Sequence, residues 1–202
     1  FDLNISFWQG FFLLALLLLL ACELVYLYAV YNRVSRYARR AKGGAVRYAG
    51  ELPGVSVIVY ADADNGEGVG AALDALLAQE YGAYEIIVVN DDAGDRVRHI
   101  VSCYECEHKN VYQAFVPEAV CNVSRKKLGI TLGVKAARYD VVVVTEADCV
   151  PVSRQWLSKM ARNFVPGVDV VLGYTRMAVS EDGCDSRYIV FDRVVFACAA
   201  FS

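Results

Sequence analysis

Val55-Ser56-Val57-Ile58-Val59-Tyr60-Ala61 decides the fold class of this chain: the run follows the breaker pair Pro53-Gly54 and is apolar at almost every position. A β-branched run of that length, with almost no alternation, suits a strand buried on both faces. Similar runs recur at 84–90, 111–116, 140–145 and 168–174, and helical patterns fit between them at 69–80, 95–107, 124–138 and 153–164. Strands alternating with helices predict an α/β domain, a mostly parallel sheet with helices on both faces.

Upstream of this domain the composition changes. The 202 residues are 56% hydrophobic, and much of the excess lies in 7–31, where Glu23 is the only formal charge. That length matches a hydrocarbon core of ~30 Å at ~1.5 Å per residue. No small-residue cleavage pattern accompanies it, so it reads as one retained transmembrane helix rather than a signal peptide. Arg33, Arg36, Arg39, Arg40, Lys42 and Arg47 follow it, whereas residues 1–6 hold no Lys or Arg. That asymmetry places the downstream domain in the cytoplasm. The expected organisation is an anchor over 1–32, a basic juxtamembrane linker over 33–52, and the α/β domain over 53–202. The linker reads equally as a helix along the anionic inner leaflet or as a solvated stalk. The chain opens on Phe1 and runs out in Ala200-Phe201-Ser202 without a terminating signal, which reads as a piece cut at both ends.

Charge and cysteine content exclude several classes. The net charge is -3, and the α/β part has no long Lys/Arg run, so a nucleic-acid partner is not expected. Seven scattered cysteines do not form a disulfide framework and suit a reducing compartment. Cys103, Cys106 and His108 form a C-x-x-C-x-H run, but a structural zinc needs a fourth ligand and none follows nearby, so these read as helix-face thiols.

In open α/β sheets ligands bind beyond the carboxyl ends of the strands, so the residues that follow each strand matter most. Asp62 and Asp64 follow the first run, Asp91 and Asp92 the second, and Glu146 with Asp148 the fourth. A single pair is explained by helix capping or a turn. Three pairs on one rim repel one another unless cations offset them, and a hard divalent metal, Mg²⁺ or Mn²⁺, is the usual offset. Such a metal keeps positions open for phosphates and would recruit a nucleoside diphosphate. Ser124-Arg125-Lys126-Lys127, at the start of the helix before the fourth strand, supplies positive charge for the remaining phosphate oxygens.

Taken in order, Val55-Ser56-Val57-Ile58-Val59, Glu85-Ile86-Ile87-Val88-Val89-Asn90-Asp91-Asp92, Ser124-Arg125-Lys126-Lys127 and Thr145-Glu146-Ala147-Asp148-Cys149-Val150-Pro151 resemble glycosyltransferase family 2, closest to its bacterial membrane-bound members. The resemblance runs from about Pro53 to Tyr174. It implies a GT-A, Rossmann-like fold behind one transmembrane helix in a bacterial inner membrane. It also implies a nucleotide-diphosphate sugar donor, held by Ala61, Asp62, Asp64, Asp91, Asp92 and Lys126. Asp91 would recognise the base and Lys126 would lie near the diphosphate. Glu146-Ala147-Asp148 stands where the family has its Asp-x-Asp motif, which makes Asp148 the principal metal ligand and Glu146 the second. Three departures stand out: Glu146 replaces the first Asp, Asn90 replaces an acid, and Ala63 stands where an Asn is common.

The reaction implied is inverting transfer of a sugar to an acceptor hydroxyl, lipid-linked or on a polysaccharide. The catalytic base and acceptor region of the family lie beyond Ser202, so residues 1–202 alone are expected to bind donor without transferring sugar. Two other readings compete. Gly66-Glu67-Gly68-Val69-Gly70-Ala71 fits the G-x-G-x-x-G/A pattern of a dinucleotide-dependent oxidoreductase, although Asp62 and Asp64 would repel a pyrophosphate there. A membrane-tethered module that keeps the fold without turnover is the second.

Overall fold

A computed structural model describes residues 7–42, 48–91, 95–117, 124–173 and 175. The chain divides into two units, one containing residues 1–47 and 172–202, the other Tyr48–Val171. In the first, α1 (Phe7–Lys42) is one uninterrupted helix of 36 residues. Its segment Trp8–Ala29 is long and apolar enough to cross a membrane. The basic residues up to Lys42 continue the same helix.

In the second unit, β1 (Val55–Ala61), β2 (Tyr84–Asn90), β3 (Val111–Phe115) and β4 (Val141–Glu146) form a sheet of order β3-β2-β1-β4. Every pairing is parallel, with Val55 opposite both Tyr84 and Val141, and Ile86 opposite Val111. The central strand β1 is buried at all seven positions, as its almost wholly apolar run requires.

Successive side chains of a strand point to opposite faces, and the two sets pack against different helices. Val55, Val57, Val59 and Ala61 join Ile86 and Val88 under α2 (Val69–Leu77), α3 (Asp95–Glu107) and α5 (Trp156–Ala161). Ile58, Tyr60, Ile87 and Val89 face α4 (Arg125–Ala136) through Leu128. Helices thus cover both faces. The direction of winding reverses between β1 and β4, and right-handed crossovers then put α4 on the face opposite α2 and α3. In open α/β sheets ligands bind at such a reversal, here beyond the carboxyl ends of β1 and β4.

The α4 helix approaches the sheet through two glycines. A Cβ on Gly129 would lie 3.0 Å from the Tyr60 ring, and one on Gly133 2.7 Å from Ile58 Cγ2. At the opposite end of the strands, the buried carboxylate of Glu85 accepts hydrogen bonds from Ser56 Oγ at 2.7 Å and from the Arg138 N–H at 2.6 Å. Those bonds tie the exit of α4 to β1 and β2.

Several elements differ from the sequence pattern: α5 spans only Trp156–Ala161 of the expected 153–164, and α4 Arg125–Ala136 of the expected 124–138. The helix expected over 69–80 ends at Leu77, because buried Gln79 donates to the carbonyls of Ala75 and Ser153 and accepts from the Leu157 N–H, bracing α2 against α5 instead of extending it. The fifth strand expected over 168–174 is absent in the described part, 168–173; Tyr174 lies outside the described residues. Gly167 adopts φ 91°, and residues 168–171 then line a cleft of about 480 Å³ beside Asp140, Val141 and Val142. Strand pairing needs backbones ~4.8 Å apart, and residues 168–171 lie across that cleft from β4.

Candidate functional site

Backbone hydrogen bonds carry the sheet ladder past the strand ends and draw three loops together. The Asp91 N–H donates to the Ala61 carbonyl at 2.7 Å, and the Ala147 N–H donates to the Tyr60 carbonyl at 3.0 Å. Parallel register sets Tyr60 opposite Glu146 and Ala61 opposite Asn90. The acids after β1, β2 and β4 therefore start from one rim.

The acids then separate by environment. Asp91 is enclosed, its side chain 5% exposed. Its Oδ2 accepts the Tyr60 hydroxyl, and its Oδ1 accepts the Arg125 guanidinium, with Nε at 2.8 Å. Burial, the bond to Asp91 and the charges of Asp91 and Asp62 push the Tyr60 hydroxyl well above its ordinary pKa, with Arg125 opposing. Tyr60 thus stays protonated and acts only as a donor to Asp91.

Glu146 pairs instead with Lys126, whose ammonium also lies over the Tyr60 ring, 5.7 Å from its centroid. The hydrogen bond to Glu146, with the charges of Glu146, Asp62 and Asp148, raises the Lys126 pKa against an opposing burial effect. Both partners are about half exposed, at 50% and 44%. A pair of that kind contributes about 0–1 kcal/mol to stability, so the contact can open without loss of fold.

Asp62 serves partly as a turn residue. Its Oδ1 accepts the N–H groups of Asp64 at 3.1 Å and Asn65 at 3.0 Å. Asp64 is exposed and contributes its backbone N–H to that turn. Ala61 is buried as the last residue of β1, and Asp92 lies outside the described residues. Asp148 is exposed on the turn after β4. The next residue, Cys149, has its thiol pKa raised by burial and by the Asp148 charge, so it remains a neutral thiol.

The glycine run has a packing role. A Cβ on Gly68 would lie 2.6 Å from the Ala147 carbonyl oxygen and 2.9 Å from the Asp148 Cα, so only glycine lets the loop after β1 press on the loop after β4. Neither that contact nor the roles of Tyr60 and Arg125 were read from the sequence. The spacing Gly129-x-x-x-Gly133 behind the basic run was a usable signal for close approach of α4. Elsewhere, Cys103 and Cys106 are exposed on α3, and His108 stacks on Tyr104 at 6.4 Å.

Among the described residues no three metal-ligating side chains converge. Glu146 and Asp148 still fit a hard divalent ion. Their donors are carboxylate oxygens, and Mg²⁺ characteristically takes one or two protein carboxylates and completes its shell with water and phosphate.

A parallel sheet covered by helices, with carboxylates and cations beyond its reversal point, defines an α/β domain whose ligand edge lies at that point. The chain belongs to glycosyl transferase family 2, whose model matches residues 55–189. The mannosyltransferase PcManGT from Pyrobaculum calidifontis, solved in complex with GDP-Man and Mn²⁺, has a similar structure, with a TM-score of 0.51 at 21% identity over 73% of this chain. That likeness concerns the fold, and the chain spans 45% of the length of that mannosyltransferase. TarS 1-349 from S. aureus is also similar, with a TM-score of 0.44 at 22% identity, covering 52% of this chain and 30% of TarS 1-349. No curated protein matches the sequence.

Proposed function

We propose that residues 53–202 form the donor-binding half of an inverting, membrane-anchored glycosyltransferase, which takes a sugar from a nucleoside diphosphate and delivers it to a lipid-linked or polysaccharide hydroxyl. The observation that carries this reading is the Lys126–Glu146 pair at the sheet reversal, with Asp148 exposed on the turn that follows β4. Glu146 and Asp148 would hold Mg²⁺ or Mn²⁺, which supplies charge stabilisation to the departing diphosphate. Lys126 contributes a mobile positive charge at the same place. Asp91, fixed by Tyr60 and Arg125, stands at the base end of the donor, and the backbone and side chains of Ala61, Asp62, Asp64 and Asp92 complete the nucleotide site.

Titration of the full chain in detergent with UDP and with GDP, with and without Mn²⁺, tests the reading. Binding should require the metal. Equal affinity without Mn²⁺, or a preference for NAD over both, would reject it. Gly68 offers a sharper check, because a methyl group there must push the Ala147–Asp148 backbone aside. Gly68→Ala is expected to weaken Mn²⁺-dependent binding about ten-fold, since site geometry tolerates only about 0.5 Å of displacement. Gly70→Ala, whose Cβ would come no closer than 4.0 Å to its nearest neighbour, should bind normally. Equal affinities in the two variants would count against the close approach.

The membrane placement rests on α1. Its 22-residue apolar segment is about 33 Å long at ~1.5 Å per residue, enough for one crossing. The basic residues downstream favour a cytoplasmic domain, in a bacterial inner membrane. A reporter enzyme fused after Ser202 should be active in the cytoplasm, and activity on the far side would reverse the orientation.

A further inference from the structure

Two adjacent cations at the start of α4 are held in different ways. Arg125 is bound to Asp91, whose side chain is 5% exposed, whereas Lys126 is bound to Glu146, which is 44% exposed. Solvent reaches the second pair, and ion pairs open to water exchange partners readily. The Lys126 ammonium also lies over the ring of Tyr60 in β1, 5.7 Å from its centroid.

Resting on the donor-site reading above, we propose that Lys126 is the resident counter-cation of the metal site: it occupies Glu146 until a divalent ion arrives, then passes to the donor diphosphate. Metal and nucleotide consequently bind as a coupled pair. The reason is electrostatic. An ammonium and a divalent ion cannot share the Glu146 carboxylate without strong mutual repulsion. A diphosphate relieves the conflict, because its oxygens accept the metal and the three lysine N–H donors together. The metal alone must displace Lys126 into water with no diphosphate to receive it, and the nucleotide alone finds Lys126 engaged. Each ligand therefore raises the affinity of the other, and that coupling is reciprocal. A lysine suits this transfer, being a compact charge on a flexible stem, whereas the planar arginine beside it suits a fixed pair.

The test uses the full chain in detergent micelles. Mn²⁺ alone is titrated by the electron paramagnetic resonance signal of the free ion, then UDP and GDP are titrated with Mn²⁺ present. Lys126→Met removes the competing charge and is expected to bind Mn²⁺ alone about ten-fold more tightly than wild type. The same variant should bind nucleoside diphosphate with Mn²⁺ about ten-fold more weakly. Effects of opposite sign distinguish this outcome from misfolding, which weakens both. Lys126→Arg keeps the charge and should hold the affinity for Mn²⁺ alone within about two-fold of wild type. An unchanged or weaker affinity of Lys126→Met for Mn²⁺, with nucleotide binding by the wild type intact, overturns the proposal and leaves the donor-site reading standing. Absence of Mn²⁺-dependent nucleotide binding in the wild type overturns both.

Discussion

Asp148→Ala is expected to reduce Mn²⁺-dependent nucleoside diphosphate binding by at least about a hundred-fold. A carboxylate bound to a divalent ion contributes several kcal/mol, and each ~1.4 kcal/mol is a factor of ten in affinity. Glu146 cannot compensate, since it starts inside β4, opposite Tyr60, and a single carboxylate remains. The loss should be specific to binding. Asp148 is exposed on a turn, and the surrounding order comes from backbone contacts, among them the Cys149 N–H to the Glu146 carbonyl at 3.1 Å. Far-UV circular dichroism and the unfolding midpoint should therefore match wild type while calorimetric titration shows the loss. Affinity within about threefold of wild type would remove Asp148 from the metal site.

Gly133→Val should destabilise the α/β unit by about 2–3 kcal/mol. The added Cβ alone would lie 2.7 Å from Ile58 Cγ2, 3.0 Å from Ile58 Cδ1 and 3.1 Å from Val89 Cγ2. Ile58 and Val89 are fully buried, so neither side chain has free volume to retreat into. Replacing glycine in a helix interior returns only about 0.5 kcal/mol in this case, because valine is itself a mediocre helix former. Steric conflict wins by that comparison. Arg125 and Lys126 ride on the same helix, so donor affinity should fall in parallel. Denaturant titration at constant slope measures the first effect, and Gly82→Ala, where the added Cβ meets nothing within 4 Å, is the matched control. A midpoint for Gly133→Val equal to that of the control would refute close packing of α4 on the sheet.

The sequence by itself determined the elements and the order in which chemistry is strung along them. Largely β-branched runs marked β1 and β2 at their observed limits, Val55–Ala61 and Tyr84–Asn90, because burial on both faces admits few polar residues, here Ser56, Glu85 and Asn90. The same local logic placed α3 over Asp95–Glu107 and an apolar segment of membrane-crossing length inside α1. It also put acids at or directly after the ends of three strands, Glu146 being the last residue of β4. Tertiary structure alone decided which of those acids meet. Sheet order β3-β2-β1-β4 sets the ends of β1 and β4 side by side, the close approach of Gly129 and Gly133 brings Lys126 to Glu146, and Asp91 is enclosed by Tyr60 and Arg125 while Asp64 remains in its turn. Residues 168–173 carry a strand-like pattern, yet they form no strand once Gly167 turns the chain aside. The difference has one physical cause. Periodicity is written among near neighbours, whereas convergence depends on register and packing between segments far apart in the chain, where a single missing Cβ decides how closely two elements approach.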